Sequence, residues 1–340
     1  VDRHRPVRVA LDAMGGDDAP DVPLRAAIGA LAQGPEALSI LLVGDPALLE
    51  GPVRDADFPP ERLRIVPARE AIGMDEPPVL AVRRKPDSSI VVGLRLQREG
   101  EADAFVSAGS TGAVLAASLF VLGRLPGVDR PAVGAMFPTS GAPVLVLDAG
   151  ANVNCRPEHL HQFAHLGSIY VRDLRSVDVP RVGLLNVGEE AEKGDDLAAA
   201  TYALLREDPD LHFVGNVEGH RIIEGRCDVL VCDGFVGNVL LKFYESMAGF
   251  IVGLLHPGGD APEVEARERG PVERMLDYTE YGGAPLLGVN GVVVLCHGSS
   301  PPRAIRNALI VAVEAVRADM VSDLGRDLEE LSGRAGEREA

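Results

Sequence analysis

Short, unbroken apolar runs recur along this chain. Most are followed by a turn rich in glycine and polar residues, then by a longer amphipathic stretch. The runs predict strands at 7–13, 39–43, 63–66, 104–107, 132–137, 144–147, 181–186, 212–217, 228–232 and 292–296. Most are continuously apolar rather than alternating. Strands of that kind are covered on both faces, as in a parallel sheet between helical layers. The segments 22–33, 112–122, 157–172, 195–206, 236–255 and 303–318 predict the helices. This rhythm specifies an α/β fold, a three-layer α/β/α arrangement around a mostly parallel sheet. Residues 1–322 are expected to form one catalytic domain, and 323–340 a charged C-terminal tail. Residues 257–268, rich in Gly, Pro and Glu, read as a loop.

Composition narrows the function. Aromatics are 4% of the 340 residues and Trp is absent, so the core must be aliphatic. A formal net charge of −18 argues against a nucleic-acid partner and against electrostatic adhesion to anionic lipid. Cys155, Cys227, Cys232 and Cys296 form no C-x-x-C pair, and three lie in or beside apolar runs, where a thiol behaves as a small hydrophobe. The first residues carry no apolar signal region, and no apolar run reaches about 18 residues. A cytoplasmic protein without a membrane-spanning helix is expected.

The strand ends carry the chemistry. They read Asp12-Ala13-Met14-Gly15-Gly16-Asp17, Ser107-Ala108-Gly109-Ser110-Thr111-Gly112, Asp148-Ala149-Gly150-Ala151-Asn152, Asn186-Val187-Gly188-Glu189-Glu190, Asp233-Gly234-Phe235-Val236-Gly237-Asn238 and His297-Gly298-Ser299-Ser300. In doubly wound folds ligands bind where strands end and helices begin. Glycine lets backbone N–H groups approach a ligand closely, and a helix N-terminus adds free donors and partial positive charge. Repeated along one chain, these turns point to an anion site for a group such as phosphate. No dinucleotide fingerprint, P-loop or serine-hydrolase elbow is present. His161 and His165 lie four apart on a predicted helix, but no third ligand stands near them in sequence. They read as surface histidines, and no metal is expected.

Taken together, these motifs resemble the PlsX-type acyl-acyl carrier protein:phosphate acyltransferases. The resemblance runs in order from about Val7 to about Val316. It includes Arg83-Arg84-Lys85, Asp87-Ser88-Ser89, Lys193-Gly194 and Tyr281-Gly282-Gly283-Ala284-Pro285-Leu286-Leu287-Gly288. It implies a fold like that of phosphotransacetylases and isopropylmalate dehydrogenases, with two lobes and a cleft. It also implies a homodimer, no cofactor, and peripheral membrane contact through a helical tip before Tyr281. The apolar stretch 250–255 suits lipid contact, or ordinary dimer or core packing. The chain departs from the family pattern at Asp18, Ser110, His220 and Arg221. Asp18 adds a negative charge beside the expected phosphate loop.

The implied reaction moves a long-chain acyl group from acyl-acyl carrier protein to inorganic phosphate, for phospholipid synthesis. Gly15, Gly16, Ser107, Gly109, Ser110, Thr111 and Gly112 would cradle phosphate. Arg83 and Lys85 would balance its charge, or serve as solvated surface cations. Lys193 is the first choice for a catalytic cation, against a solvated lysine after an acidic run. Asn238 would donate to the oxyanion, or open a helix. His297 would protonate the leaving thiolate, or serve as a structural strand-end histidine. Glu189 and Asp233 would orient these groups, or act as caps. Arg172, Arg175 and Arg181, or Arg303 and Arg306, are candidate contacts for the acidic carrier protein. The alternatives are a phosphotransacetylase-like enzyme using coenzyme A thioesters and a non-catalytic paralogue that binds acyl carrier protein.

Overall fold

The computed structural model describes residues 5–35, 37–255 and 281–339. Two compact units emerge. Unit 1 is assembled from both ends of the chain, Val1–Pro131 and Tyr281–Ala340, and unit 2 is the contiguous middle, Ala132–Glu280.

In unit 1, β1 (Val7–Asp12) lies between β2 (Leu38–Gly44) and β4 (Ala104–Ser107). β3 (Leu63–Pro67) extends the sheet beyond β2, and β11 (Val292–Leu295) beyond β4; all of these pairs are parallel. β10 (Ala284–Leu287) adds one antiparallel strand beside β11. Every residue of β2, β4 and β11 is buried, as continuous apolar runs require. α1 (Asp21–Gln33) packs with α9 (Pro302–Arg317), which lies on β1, β4 and β11. α4 (Ser89–Arg98) lies on β1 and β4 and packs against α5 (Thr111–Val121), which also meets α3 (Pro78–Arg84). α2 (Pro46–Asp55) packs on β3. The charged C-terminal segment is helical, as α10 (Met320–Glu339), and buries Met320, Leu324 and Leu328.

Unit 2 repeats the plan. β6 (Val144–Leu147), β9 (Val229–Val231), β7 (Arg181–Asn186) and β8 (His212–Glu218) are parallel neighbours in that order. β5 (Ala132–Phe137) runs antiparallel to β6. α6 (Pro157–Arg175) covers β6, β7 and β9, α7 (Asp196–Glu207) packs on α6 and on β7 and β8, and α8 (Gly234–Leu255) meets β6. The core is aliphatic, as expected. Phe105 and Phe163 are the aromatic rings among its largest fully buried side chains.

Two expectations change. By length and composition α8 is apolar enough to cross a membrane; Lys242 and Glu245 interrupt its apolar residues, so it contains no unbroken apolar stretch of that length. A single such helix also occurs in soluble proteins. His165 is buried rather than a surface residue. The cysteines are free, and burial pushes the thiols of Cys227 and Cys296 up to about 12, so they are inert at neutral pH. The loop at 257–268 and the helical tip expected before Tyr281 lie outside the described residues.

Candidate active site

Because β1, β4 and β11 are adjacent and parallel, their carboxyl ends deliver three loops to one edge of unit 1. The organising residue is Asp12, fully buried at the end of β1. Its Oδ2 accepts from the Ser107 hydroxyl at 2.7 Å, and its Oδ1 from the Met14 amide at 3.0 Å. The Ser107 oxygen in turn accepts the Gly109 amide at 2.9 Å. Burial pushes the Asp12 carboxyl above its ordinary pKa, against hydrogen bonds from Ser89, Ser107, Met14 and Gly15 that favour the anion. Gly15 fits between the two loops because it has no side chain. A Cβ there would meet Asp12 Oδ2 and lie 2.6 Å from the Gly109 nitrogen.

The third loop closes on the first through the Asp17 amide, which donates to the Gly298 carbonyl at 2.8 Å, while the Cys296 amide bonds the Ser107 carbonyl at 2.8 Å. The structure therefore brings Gly15, Gly16, Ser107, Gly109 and His297 onto one interlocked set of loops. Ser110 stands at the N-cap of α5 without its hydroxyl capping the helix, and Thr111 and Gly112 form the first turn. The first amides of a helix lack intrahelical acceptors, which makes this turn a suitable anion contact. His297 is exposed, and its Nδ1 lies 2.8 Å from Ser299 Oγ and 3.3 Å from the Ser299 amide. Acceptance of that N–H leaves the neutral ring protonated on Nε2.

The two cations expected near phosphate have other partners. The Lys85 ammonium bonds Glu76 Oε1 at 2.6 Å and the Ala71 carbonyl at 2.8 Å, and the Arg83 guanidinium stacks over the Phe120 ring at 5.2 Å. These contacts fix α3, whose Pro78 abuts Gly112. Asp18 is exposed.

Unit 2 has its own buried aspartate, Asp148, at the end of β6. Its Oδ1 accepts from the amides of Val133, Gly150 and Ala151 at 3.0–3.1 Å. Its Oδ2 accepts from the Asn152 amide at 2.6 Å and the Asn152 side chain at 2.9 Å. Burial pushes this carboxyl up as well, against the same bonds. The turn so formed sets Gly150 against Asn238, in the first two turns of α8. Asp233 caps that helix, accepting from the Phe235 and Val236 amides at 2.8 and 3.0 Å.

Lys193 is exposed on a turn held by the Asn186 side chain, which donates to the Lys193 carbonyl at 2.9 Å. The following Gly194 has φ +96°, and a Cβ there would lie 2.5 Å from Asn186 Oδ1, so the turn requires glycine. Glu189 pairs with Arg221 at 2.7 Å and Arg226 at 3.1 Å, so the departure at Arg221 supplies a direct partner to an expected site residue. Of the candidate carrier contacts, Arg181 is held by Asp228 and the Gly225 carbonyl, Arg172 pairs with Asp173, and Arg306 bonds Gln33.

Asp12 and Asp148 organise both loop systems, yet neither was among the expected site residues. Each stands as the Asp of an Asp-Ala-x-Gly or Asp-Ala-Gly turn directly after an apolar strand, which is the signal that marks them.

The family model described as "Fatty acid synthesis protein" matches residues 7–323. The chain belongs to this family. It is 49% identical over 333 residues to the phosphate acyltransferase of Desulforamulus reducens, covering 96% of this chain and 99% of that one. It is 50% identical over 324 residues to the phosphate acyltransferase of Heliobacterium modesticaldum, covering 93% and 96%. A phosphotransacetylase from Streptococcus pyogenes shares the fold of this family member, with a TM-score of 0.61 at 18% identity, over 92% of this chain and 94% of that one.

Proposed function

We propose that this acyltransferase moves a long-chain acyl group from acyl-acyl carrier protein to inorganic phosphate, releasing acyl phosphate. The acyl-transfer class rests on the family and its phosphate acyltransferase relatives. The observation that carries the phosphate site is the interlocked set of loops from β1, β4 and β11, organised by Asp12 and Ser107.

Phosphate is substantially dianionic near neutral pH, as a mixture with the monoanion, and needs little general-base help. One of its oxygens attacks the thioester carbonyl, the carbonyl becomes an oxyanion, and its collapse breaks the C–S bond. The enzyme's work is then to hold phosphate against the thioester, which can contribute about 7–11 kcal/mol, and to stabilise the oxyanion, where one donor is typically worth about 10²–10³ in rate. The amides of Gly16, Thr111 and Gly112, with the Ser110 hydroxyl, bind phosphate, while the Gly15 and Gly109 amides hold the loops through Asp12 and Ser107. Lys193 supplies the cation and Asn238 a donor to the oxyanion. His297, oriented by the Ser299 contacts at Nδ1, directs its Nε2 proton to the leaving thiolate. Glu189 and Asp233 keep orienting roles, through Arg221 and the start of α8. Arg83 and Lys85 act indirectly, by fixing α3 against Gly112.

The chain works as a cytoplasmic homodimer with weak peripheral membrane contact. Support comes from α8, where Phe235, Val239, Phe243, Met247, Phe250 and Leu254 form an exposed apolar stripe at helical spacing. Such a stripe suits a second copy or lipid.

The test is incubation of the purified protein with palmitoyl-acyl carrier protein and labelled phosphate. Labelled acyl phosphate is expected, with little from palmitoyl-coenzyme A. Equal or better turnover of the coenzyme A thioester would assign a phosphotransacetylase-like donor instead.

A further inference from the structure

His161 and His165 lie one turn apart on α6, and Asp208 directly follows α7. Packing of α6 on α7 brings this aspartate to both rings. His161 Nε2 lies 2.7 Å, and His165 Nε2 2.8 Å, from the same oxygen, Asp208 Oδ2. The rings meet edge-on with centroids 4.9 Å apart. The other carboxylate oxygen, Oδ1, accepts the Asp210 amide at 2.8 Å, which fixes the orientation of the group. Such outer contacts are what hold metal-ligating carboxylates in place. The side chains of His165 and Asp208 are 9% and 11% exposed, while His161 is 28% exposed, so the cluster is enclosed and open at the His161 side.

Two nitrogens and one oxygen thus converge, all within 4.8 Å of one another. A histidine pair at i, i+4 presents both rings on one helix face, the spacing used by zinc-binding helices. Metal–ligand bonds of about 2.0–2.2 Å place neighbouring ligand atoms a little over 3 Å apart. To reach that spacing each ring moves a fraction of an ångström away from the carboxylate, and the two ring nitrogens, which lie within 4.8 Å of each other, swing together by side-chain rotation. Imidazole and carboxylate together suit zinc, nickel, copper or ferrous iron, whereas magnesium and calcium demand oxygen shells.

We propose that His161, His165 and Asp208 bind one divalent transition-metal ion of the zinc class, with water completing the coordination beside His161. On binding, each neutral ring carries its proton on Nδ1 and offers the Nε2 lone pair, while Oδ2 becomes the third ligand. None of these residues belongs to the loops assigned to acyl transfer. The ion would act as a staple between α6 and the end of α7.

The experiment is a titration of chelator-treated full-length protein with Zn²⁺ against a chromophoric competitor, repeated with Co²⁺ followed by its visible absorption. One equivalent should bind saturably, Zn²⁺ should raise the melting temperature, and the Co²⁺ spectrum should lack a thiolate charge-transfer band. His161→Ala and Asp208→Asn should each weaken binding by at least about 10–100-fold, the loss typical of removing even an outer-shell partner. Cys155→Ser, at the cysteine that is not fully buried, should leave binding unchanged. His161→Ala keeps the His165–Asp208 bond, so it should remain folded by circular dichroism. Absence of saturable binding at micromolar zinc, binding undiminished in both ligand variants, or displacement of zinc by millimolar Mg²⁺ would each overturn the assignment.

Discussion

The Ser107 hydroxyl donates to the buried Asp12 carboxylate across 2.7 Å and accepts the Gly109 amide at 2.9 Å, so one side chain ties the loop after β1 to the loop after β4. Ser107→Ala leaves the carboxylate short of a donor and the amide without its acceptor. Loss of a buried hydrogen-bond partner costs about 1–3 kcal/mol. The variant should unfold at lower urea concentration by that amount. It should also show a higher apparent KM for phosphate, measured at saturating acyl donor.

Asp148 carries a larger share of unit 2. Its replacement by Ala strands five donors, three from the turn 150–152 backbone, one from Val133 and one from the Asn152 side chain. The predicted loss exceeds that of Ser107→Ala, at about 3 kcal/mol or more. Hydrogen exchange should show loss of protection concentrated in 148–152 and the first turns of α8. Unchanged protection there would remove Asp148 from its organising role.

Lys193 offers the opposite pattern. It is exposed, so Lys193→Ala should change stability by no more than about 0.5 kcal/mol. Acyl phosphate formation should nevertheless fall by about 10²–10³, the scale for a lost charge-stabilising group. A melting temperature equal to wild type together with near-normal turnover would end its assignment as the catalytic cation.

Two surface-proximal ion pairs predict an acid dependence. Burial pushes Asp103 and Asp228 up, but hydrogen bonds and charge from Arg8 and Arg181 outweigh it and hold both carboxyls below the ordinary value. A depressed folded pKa gives stability that is complete above the unfolded value, about 3.9, and disappears as the pH falls through the depressed one. Arg8→Ala should therefore be less stable than wild type at pH 7, and the gap should close below about pH 4. Urea midpoints across that range check it.

Much of the architecture is written locally. The continuous apolar runs marked strands correctly because both faces of those strands are covered. β10 escaped because its Ala-Pro-Leu-Leu follows two glycines and reads as a turn. α2 escaped because Gly51 and Pro52 lie inside it. α3 and α4 were not among the predicted helices; Ser88 caps α4 by accepting from the Val91 amide. The glycine loops at the strand ends were legible because glycine at a strand end has a local meaning. What Asp12 and Asp148 do was not, since their partners come from other strands. Asp208 was invisible beside His161 and His165 for the same reason: only the packing of α6 on α7 makes them neighbours.

Unit 1 is built from the two ends of the chain, and β4 gains β11 as its neighbour only from the far end. During synthesis the whole of unit 2 is therefore made while the β4 edge is still unpaired. An open parallel edge is a template for wrong pairing. The loop His297–Ser300, which closes on the loop after β1, is made later still, after β11. A chain that stops before β11 thus has neither a sealed β4 edge nor the contact that closes on the loop after β1.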